Sequence, residues 1–144
     1  MQVKKRDGTL EPLDIDKLHK VVMYACEGIT GVSASQVEIN SKIQFFESMP
    51  TQDIQETLIK SAADLISEEN PNYQYVAGRL INYHLRKMVY NTFTPPCLCD
   101  VIDDNINAGM YDKEFTELYT KDEINQLNIY IKHDRDEVLT YAAM

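Results

Sequence analysis

The sequence lacks the features typical of membrane and secreted proteins. It contains no run of about 20 apolar residues, the length that a membrane-spanning helix needs, so no membrane partner is expected. Its first residues are charged rather than apolar, which argues against a secretory signal peptide. Only three cysteines occur, Cys26, Cys97 and Cys99, and without such a signal they are expected to be reduced thiols in a cytoplasmic protein.

The common motifs of nucleotide and metal chemistry are also missing. No glycine is followed by Lys-Ser or Lys-Thr, which excludes a P-loop, and the chain has no GxGxxG dinucleotide fingerprint. No histidine stands in an HExxH motif, and Cys97-x-Cys99 has no companion pair to complete a structural zinc site. We therefore predict no metal site and interpret these two cysteines as buried thiols.

The charge of the chain is unevenly distributed. Its 144 residues carry a formal net charge of −9. Residues 1–90 have 10 Lys and Arg against 12 Asp and Glu, whereas residues 91–144 have 4 against 11. Non-specific binding of nucleic acid is disfavoured, because such an acidic body repels phosphates. Against this background the adjacent cations Lys4, Lys5 and Arg6 indicate either a solvated edge or a site for a small anion.

The first 90 residues are predicted to form a hairpin and four helices. Hydrophobic residues make up 44% of the chain, enough for a folded core. Asp7-Gly8 suits a tight turn between strands at 3–6 and 10–13. The first predicted helix runs from a cap at Asp14 or Asp16 to residue 26, and the second from Ser33 or Ser35 to about Phe46. The third runs from an N-cap at Thr51 to a stop before Pro71, and the fourth spans 73–93. The second helix is predicted to bury an apolar face of Val37, Ile39, Ile43 and Phe46.

Thr94-Pro95-Pro96 cannot continue a helix and marks a boundary. Shorter acidic helices are predicted at about 98–108, 112–119 and 121–132, the last with Thr120 and Glu123 at capping-box spacing. HDRDE at 133–137 is interpreted as the acidic start of a further helix rather than a catalytic cluster, and the chain is expected to be cut within that helix. We predict an α/β fold, mostly α, divided into residues 1–91 and 92–144.

Groups suited to phosphate binding converge on the hairpin and the helices predicted beside it. Lys5 and Arg6 lie at the turn, and Lys17 lies in the first turn of the next helix. Thr51 begins a helix whose free N–H groups suit a phosphate, and Lys87 adds a cation from the fourth helix. Val3, Leu13, Leu18 and Ile54 are predicted to form apolar walls for a base. Glu11 and Asp14 are predicted to accept hydrogen bonds from an amino group. Spacing alone leaves a solvated face as the alternative.

At these residues the sequence resembles a known family. VKKRDGTLEPLDIDKLHKVV resembles the opening of the ATP-cone domain. TQDIQETLIKSAADLIS, NPNYQYVAGRL, HLRKMVY and KHDRDEVLTYAA together resemble the amino-terminal region of the large subunit of an aerobic, class I ribonucleotide reductase. The resemblance covers essentially all 144 residues, and the stretch from Asn70 to Tyr141 is what distinguishes the reductase from other proteins that carry a cone.

The resemblance implies a regulatory role. Residues 1–91 would form a cone, a hairpin with four helices, and residues 92–144 would begin the catalytic domain of an enzyme that reduces ribonucleotides to deoxyribonucleotides. In this family the cone binds ATP as an activator and often dATP as an inhibitor, with magnesium. The implied partners are the remainder of the large subunit, a radical-generating small subunit and further large subunits. The family's catalytic residues lie in later regions, so no catalytic residue and no catalytic cofactor is expected here.

The resemblance also implies roles for single residues. Lys5, Arg6 and Lys17 would hold phosphates with Thr51 at the helix start, Lys87 would close the site, Glu11 and Asp14 would face the adenine, and Val3, Leu18 and Ile54 would pack on it. Two positions depart from the family pattern, Asp14 where Asn is frequent and Gln55 where a His near the ribose is common. His84, at a position associated with dATP inhibition, is retained. The departures leave the choice between ATP and dATP open.

Three alternatives remain open at this point. A stand-alone nucleotide sensor with a zinc ribbon would need paired CxxC motifs ahead of the cone, where only Met1 and Gln2 occur. A helical adaptor without a ligand would leave Lys4 to Arg6 as a solvated edge, and loss of ATP binding by the intact fold would favour it. A reductase of the anaerobic class also uses cones, but HDRDEVLTYAA argues against it.

Overall fold

The computed structural model describes residues 1–144. The strands and helices are, in chain order, β1 (Gln2–Lys4), β2 (Leu10–Pro12), α1 (Ile15–Cys26), α2 (Ala34–Lys42), β3 (Met49–Pro50), α3 (Thr51–Asp64), α4 (Tyr73–Tyr90), α5 (Leu98–Asn107), α6 (Glu114–Leu118) and α7 (Lys121–Ile129). Two short 3₁₀ helices follow, at His133–Val138 and Tyr141–Ala143. None of the helices is both long enough and apolar enough to cross a membrane. The prediction of a mostly α, α/β fold is confirmed.

The hairpin is present and carries a third strand. β1 pairs antiparallel with β2, with Val3 opposite Glu11. The turn between them contains Gly8 at φ 87°, and Asp7 Oδ1 accepts hydrogen bonds from the hydroxyl and the backbone N–H of Thr9 at 2.6 and 2.9 Å. These bonds lower the pKa of Asp7. β3 pairs parallel with β1, with Val3 opposite Met49. The sequence did not predict β3, because a two-residue strand has no periodicity to detect.

The amino-terminal caps of α1 and α2 follow the sequence closely. Asp14 Oδ1 accepts from the backbone N–H of Lys17 at 2.9 Å, and Ser33 Oγ accepts from that of Gln36 at 3.4 Å. α3 differs from the prediction, because its N-cap is Pro50 and no side chain caps it. Thr51 is therefore the first residue of α3 rather than its cap, since Pro50 is held in β3 at the helix entry.

The prediction for α2 is wrong in its end and in its buried face. The helix stops at Lys42 rather than near Phe46, because the chain must turn to bring Met49 beside Val3. Val37 is fully buried, but Ile39, Ile43 and Phe46 are 58, 79 and 56% exposed. The buried face of α2 instead contains Glu38 and Ser41 together with Val37.

One core joins the sheet to the first four helices. It consists of 13 buried residues: Val3, Leu18, Val22, Ala25, Val37, Met49, Ile54, Leu58, Ala62, Tyr73, Val76, Ala77 and Leu80. α4 contacts both α1 and α3, and Val22 and Val76 within this core are fully buried. This arrangement fixes the relative positions of the hairpin, the start of α3 and the end of α4.

The elements after α4 are shorter than predicted. α4 ends at Tyr90, where Asn91 adopts a left-handed conformation. α5 and α7 contact each other, and Thr120 caps α7 by accepting from the backbone N–H of Glu123 at 3.2 Å, as its spacing predicts. Residues 133–143, which we call the strap, form 3₁₀ helices that pack against α4, rather than the start of an α-helix.

Candidate functional site

A cavity of about 510 Å³ lies between the hairpin, α1, the start of α3 and the end of α4. Its volume is within the range of small-molecule sites, roughly 300–1,000 Å³. All twelve residues that the sequence singled out line it: Val3, Lys5, Arg6, Glu11, Leu13, Asp14, Lys17, Leu18, Thr51, Ile54, Gln55 and Lys87. The fold therefore brings together groups that are up to 84 positions apart, Val3 and Lys87.

Four cations and three carboxylates line this cavity, and few of the cations are paired. Of Lys5, Arg6, Lys17 and Lys87, only Lys5 is paired with a carboxylate, Glu11, at 3.1 Å. The pKa of Lys87 is lowered, first because partial burial disfavours its charge and then because Lys17, Arg6 and Lys5 repel it. Cations that repel one another across a cavity form an arrangement that a polyanion would stabilise.

The end of α4 holds two of these cations in place. Lys87 Nζ donates to the carbonyl oxygen of Asn91 at 2.8 Å and lies 5.5 Å from the ring centroid of Phe93. Arg6 Nη1 donates to the carbonyl oxygen of Lys87 at 3.1 Å. Both donors are thus occupied by backbone carbonyls, which a phosphate oxygen can replace with a stronger, charge-assisted bond.

The start of α3 adds uncharged donors to the same wall. Thr51 and Gln52 line the cavity, and because no side chain caps α3, its first N–H groups lack a side-chain acceptor. Free N–H groups at a helix start, with the positive end of the helix dipole, suit an anion. The absence of a side-chain cap at Thr51 therefore leaves the helix end available to a ligand.

Apolar residues and two carboxylates form the rest of the wall. Val3, Leu18 and Ile54 are 4, 6 and 6% exposed, and Leu13 is half-buried. Asp14 Oδ1 is used as the cap of α1, and Glu11 is paired with Lys5. The carboxylates therefore have structural roles, and their contact with an adenine amino group remains a prediction.

Gln55 and His84 form a pair that the sequence did not reveal. Gln55 Oε1 lies 2.9 Å from His84 Nδ1, which joins α3 to α4 beside the cavity. Because an amide oxygen only accepts, His84 Nδ1 is the donor in this arrangement. The two positions that the resemblance connected with the nucleotide response are thus in direct contact.

Seven further residues line the cavity without having been predicted: Asp7, Pro12, Val21, Gln52, Leu58, Asn91 and Phe93. Helical spacing could have indicated two of them, because Val21 is four positions after Lys17 and Leu58 is four after Ile54. Phe93 gave no such signal, since it follows the left-handed turn at Asn91 and its position depends on how the chain leaves α4.

The remaining candidates for chemistry lie apart from the cavity. No group of three or more His, Cys, Asp or Glu is arranged to hold a metal ion. The prediction of buried thiols is wrong for Cys97, which is exposed, while Cys26 and Cys99 are intermediate and all three are free. Burial raises the pKa of Cys26 to about 11. In HDRDE, Asp136 pairs with Arg86 at 3.2 Å.

A second cavity of about 570 Å³ adjoins the first at Lys17 and Phe93. It lies between α1, α4 and the strap, and its charged walls include Arg79, Arg86 and Glu137. Its lining has four cations and two carboxylates in all, compared with four cations and three carboxylates in the first cavity.

Comparisons with known proteins give a consistent result. The family model described as "ATP cone domain" matches residues 1–88. Over 142 residues the chain is 49% identical to ribonucleoside-diphosphate reductase 1 subunit alpha of Escherichia coli and 47% identical to that of Salmonella typhimurium, and over 144 residues it is 46% identical to ribonucleoside-diphosphate reductase subunit alpha of Haemophilus influenzae.

These matches cover 99 to 100% of this chain but 19% of each relative, so the chain spans about a fifth of their length. The relatives are subunits of an enzyme, and the chain corresponds to only a part of such a subunit. The resemblance inferred from the sequence motifs is confirmed: the chain belongs to the ATP-cone domain family and is similar along its whole length to large subunits of ribonucleoside-diphosphate reductase.

Proposed function

We propose that the first cavity binds a nucleoside triphosphate, ATP or dATP, and that the chain is the allosteric regulatory segment of a ribonucleoside-diphosphate reductase large subunit. The observation that carries the proposal is the group of four cations, Lys5, Arg6, Lys17 and Lys87, around a cavity of about 510 Å³. Only one of the four is paired with a carboxylate, so the other three can form ion pairs with phosphate groups.

In the proposed complex each kind of wall has its own part. Lys5, Arg6, Lys17 and Lys87 hold the phosphates, helped by the N–H groups at the start of α3. The base packs on Val3, Leu18 and Ile54, where burial of its apolar faces contributes to affinity. Glu11 and Asp14 accept hydrogen bonds from the amino group of adenine.

Magnesium in this proposal would arrive with the nucleotide. The cavity offers carboxylates of Asp7, Glu11 and Asp14, but no cluster of three ligating side chains is present. Mg²⁺ is commonly bound through phosphate oxygens and water rather than an all-protein cage. The protein's own contribution is therefore the cationic wall.

The activity of the whole protein is part of the same proposal. The chain would regulate reduction of ribonucleoside diphosphates to deoxyribonucleotides in the cytoplasm, together with the remainder of the large subunit, a radical-generating small subunit and further large subunits. Regulation requires that the nucleotide bind with different affinity to two assembly states. The division into a cone at residues 1–91 and the start of the catalytic domain at residues 92–144 likewise remains a prediction.

A helical adaptor without a ligand is the competing function. In that case Lys5 and Arg6 would be a solvated edge, and their removal would change no binding. The convergence of cations from the hairpin, α1 and α4 on one cavity favours the nucleotide site, because a solvated edge would not need cations from three elements on one concave wall.

The deciding experiment is calorimetric titration of the 144-residue chain with Mg-ATP and Mg-dATP. A Lys5→Ala, Arg6→Ala double variant is expected to lose on the order of 100-fold in affinity, because it removes two charged hydrogen-bond donors worth about 1.5–3 kcal/mol each. Lys4→Ala is the matched control, since Lys4 directly precedes this pair in the sequence but does not line the cavity. An equal loss in Lys4→Ala, or no binding by the folded wild type, would contradict the proposal.

A further inference from the structure

α4 contacts the candidate site with one part of its surface and the strap with another. His84 and Lys87 face the site, where His84 contacts Gln55 and Lys87 lines the cavity. Gly78, Arg79 and Arg86 contact the strap. One helix therefore connects the cavity to a segment more than 40 residues further along the chain.

Gly78 determines how closely the strap approaches α4. It is buried in the middle of the helix, where glycine is among the poorest helix formers. A Cβ at this position would lie 3.1 Å from the carbonyl carbons of Leu139 and Thr140, and closer still to the carbonyl oxygen of Leu139. Because these atoms are backbone, any larger side chain would force the strap away from α4.

Two arginines of α4 fix the strap on either side of this contact. Arg86 Nη2 lies 3.2 Å from Asp136 Oδ2 and 3.4 Å from the carbonyl oxygen of His133. Arg79 Nη2 lies 3.9 Å from Glu137 Oε2. Both arginine side chains are 15% exposed, so the strap carboxylates neutralise charges that water reaches poorly.

Arg79 also connects this contact to α1. Its Nη1 donates to the carbonyl oxygens of Glu27, at 2.7 Å, and Ala25, at 3.4 Å, at the end of α1. Its Nε is buried without a hydrogen-bond partner. The strap, α4 and the end of α1 thus share one guanidinium group, and movement of one affects the other two.

We propose that the strap transmits occupancy of the cavity to the rest of the chain. Its close backbone contact with Gly78, which we call the seat, is where it packs on α4. The inference depends on the proposed nucleotide site. A polyphosphate would draw Lys87 away from Asn91 and Arg6 away from the carbonyl oxygen of Lys87, which loosens the carboxyl-terminal end of α4. A close backbone contact such as that of Gly78 is either fully formed or broken, because packed interfaces do not deform continuously.

The test uses hydrogen exchange of the Leu139 and Ala143 amides, whose N–H groups donate to Asp136 and Thr140 in the seated strap. Gly78→Ala unseats the strap from the α4 side. The double variant Asp136→Asn, Glu137→Gln weakens it from the strap side without changing the core, so misfolding of one variant does not decide the outcome. Asp134→Asn is the matched control, since Asp134 is an exposed strap carboxylate without an ion pair.

Both test variants are expected to exchange these amides about tenfold faster than wild type, and Asp134→Asn at the wild-type rate. Saturating Mg-ATP should speed exchange severalfold in wild type and have no further effect in Gly78→Ala, whose ATP affinity by calorimetry should rise by about the same factor, because the coupling is reciprocal. Unchanged exchange in both variants would contradict the claim that these contacts hold the strap on α4. ATP binding heat without any change in strap exchange would overturn the coupling alone, whereas no binding heat would overturn the proposed function and the coupling with it.

Discussion

Residues 1–90 and residues 91–144 differ in how much of their structure they support themselves. Of the 20 buried residues, only Ile102 and Ile124 lie beyond residue 90. The first region carries a net charge of −2 and the second −7. Both regions expose apolar side chains, and in the second Tyr111, Phe115 and Tyr119 are in aromatic contact with one another.

The difference indicates that a binding site needs a rigid support. The cavity is built on the region with the continuous core, and its cations belong to elements that this core fixes. The second region contributes Asn91 and Phe93 to the cavity wall, and its later residues meet the first region through the strap and α4.

The largest effect is expected from truncation of the core of the first region. Leu80 is 4% exposed and Leu127 is 58% exposed. Leu80→Ala should lower the free energy of unfolding by about 2–5 kcal/mol, because it leaves a cavity in the core. Leu127→Ala should change it by no more than about 0.5 kcal/mol. Urea unfolding followed by circular dichroism measures both, and equal losses would contradict the difference between the regions.

A smaller effect is expected from Lys87, whose charge is required only if an anion binds. Lys87→Met should lower ATP affinity about tenfold or more while keeping most of the side-chain volume. Because the pKa of Lys87 is lowered, wild-type affinity should fall as the pH rises, beginning below the usual lysine range. Lys87→Arg should bind ATP without this decline. Calorimetry over a pH series tests it, and a decline of equal size in Lys87→Arg would assign it to another group.

The lowered pKa of Lys87 also affects the stability of the fold. The folded-state pKa of Lys87 lies below its unfolded value, so the unfolded chain binds the proton more tightly. The free energy of unfolding should therefore increase slightly with pH between the two values. In Lys87→Met this increment should be absent, and an unchanged slope would contradict the lowered pKa.

Gln55 tests the selectivity of the site rather than its existence. Gln55→His replaces a residue whose oxygen lies 2.9 Å from His84 with the histidine that the resemblance implies beside the ribose. The affinity for dATP should rise relative to that for ATP by a few fold, about 1 kcal/mol or less. Parallel titrations give the ratio, and the same ratio in wild type and variant would contradict this role of Gln55.

An effect of similar size is expected from two matched helix caps. Ser33 caps α2 in the first region and Thr120 caps α7 in the second, at 3.4 and 3.2 Å. Each change to Ala should cost about 1 kcal/mol locally. Ser33→Ala should lower the global free energy of unfolding, whereas Thr120→Ala should mainly accelerate hydrogen exchange within α7. A global loss from Thr120→Ala as large as that from Ser33→Ala would show that the regions unfold together.

What the sequence could predict depended on local chemistry. Asp7-Gly8 predicted the hairpin turn and Thr120 a cap that is present, while Asp14 and Ser33 are each one of two predicted cap candidates; all act within three residues of themselves. The candidate site residues could be named since turns, helix starts and cations are visible one by one. The family resemblance then assigned these residues to one nucleotide site.

What the sequence could not predict depended on contacts distant along the chain. β3 exists only because Met49 meets Val3, and that pairing ends α2 early and leaves Ile43 and Phe46 exposed. Gly78 carries no local sign of its contact with Leu139. The pairing of Gln55 with His84 likewise depends on how α3 packs against α4.

The most direct test of the account is an NMR titration of the ¹⁵N-labelled 144-residue chain with Mg-ATP. The account predicts that the largest amide shifts occur in the hairpin, at the start of α3 and at the end of α4, with Lys5, Thr51 and Lys87 among them. The amides of α6 and α7, which do not line the cavity, should shift little. Shifts centred on the acidic second region, or none in a folded chain, would contradict the claim that the four cations form a nucleotide site.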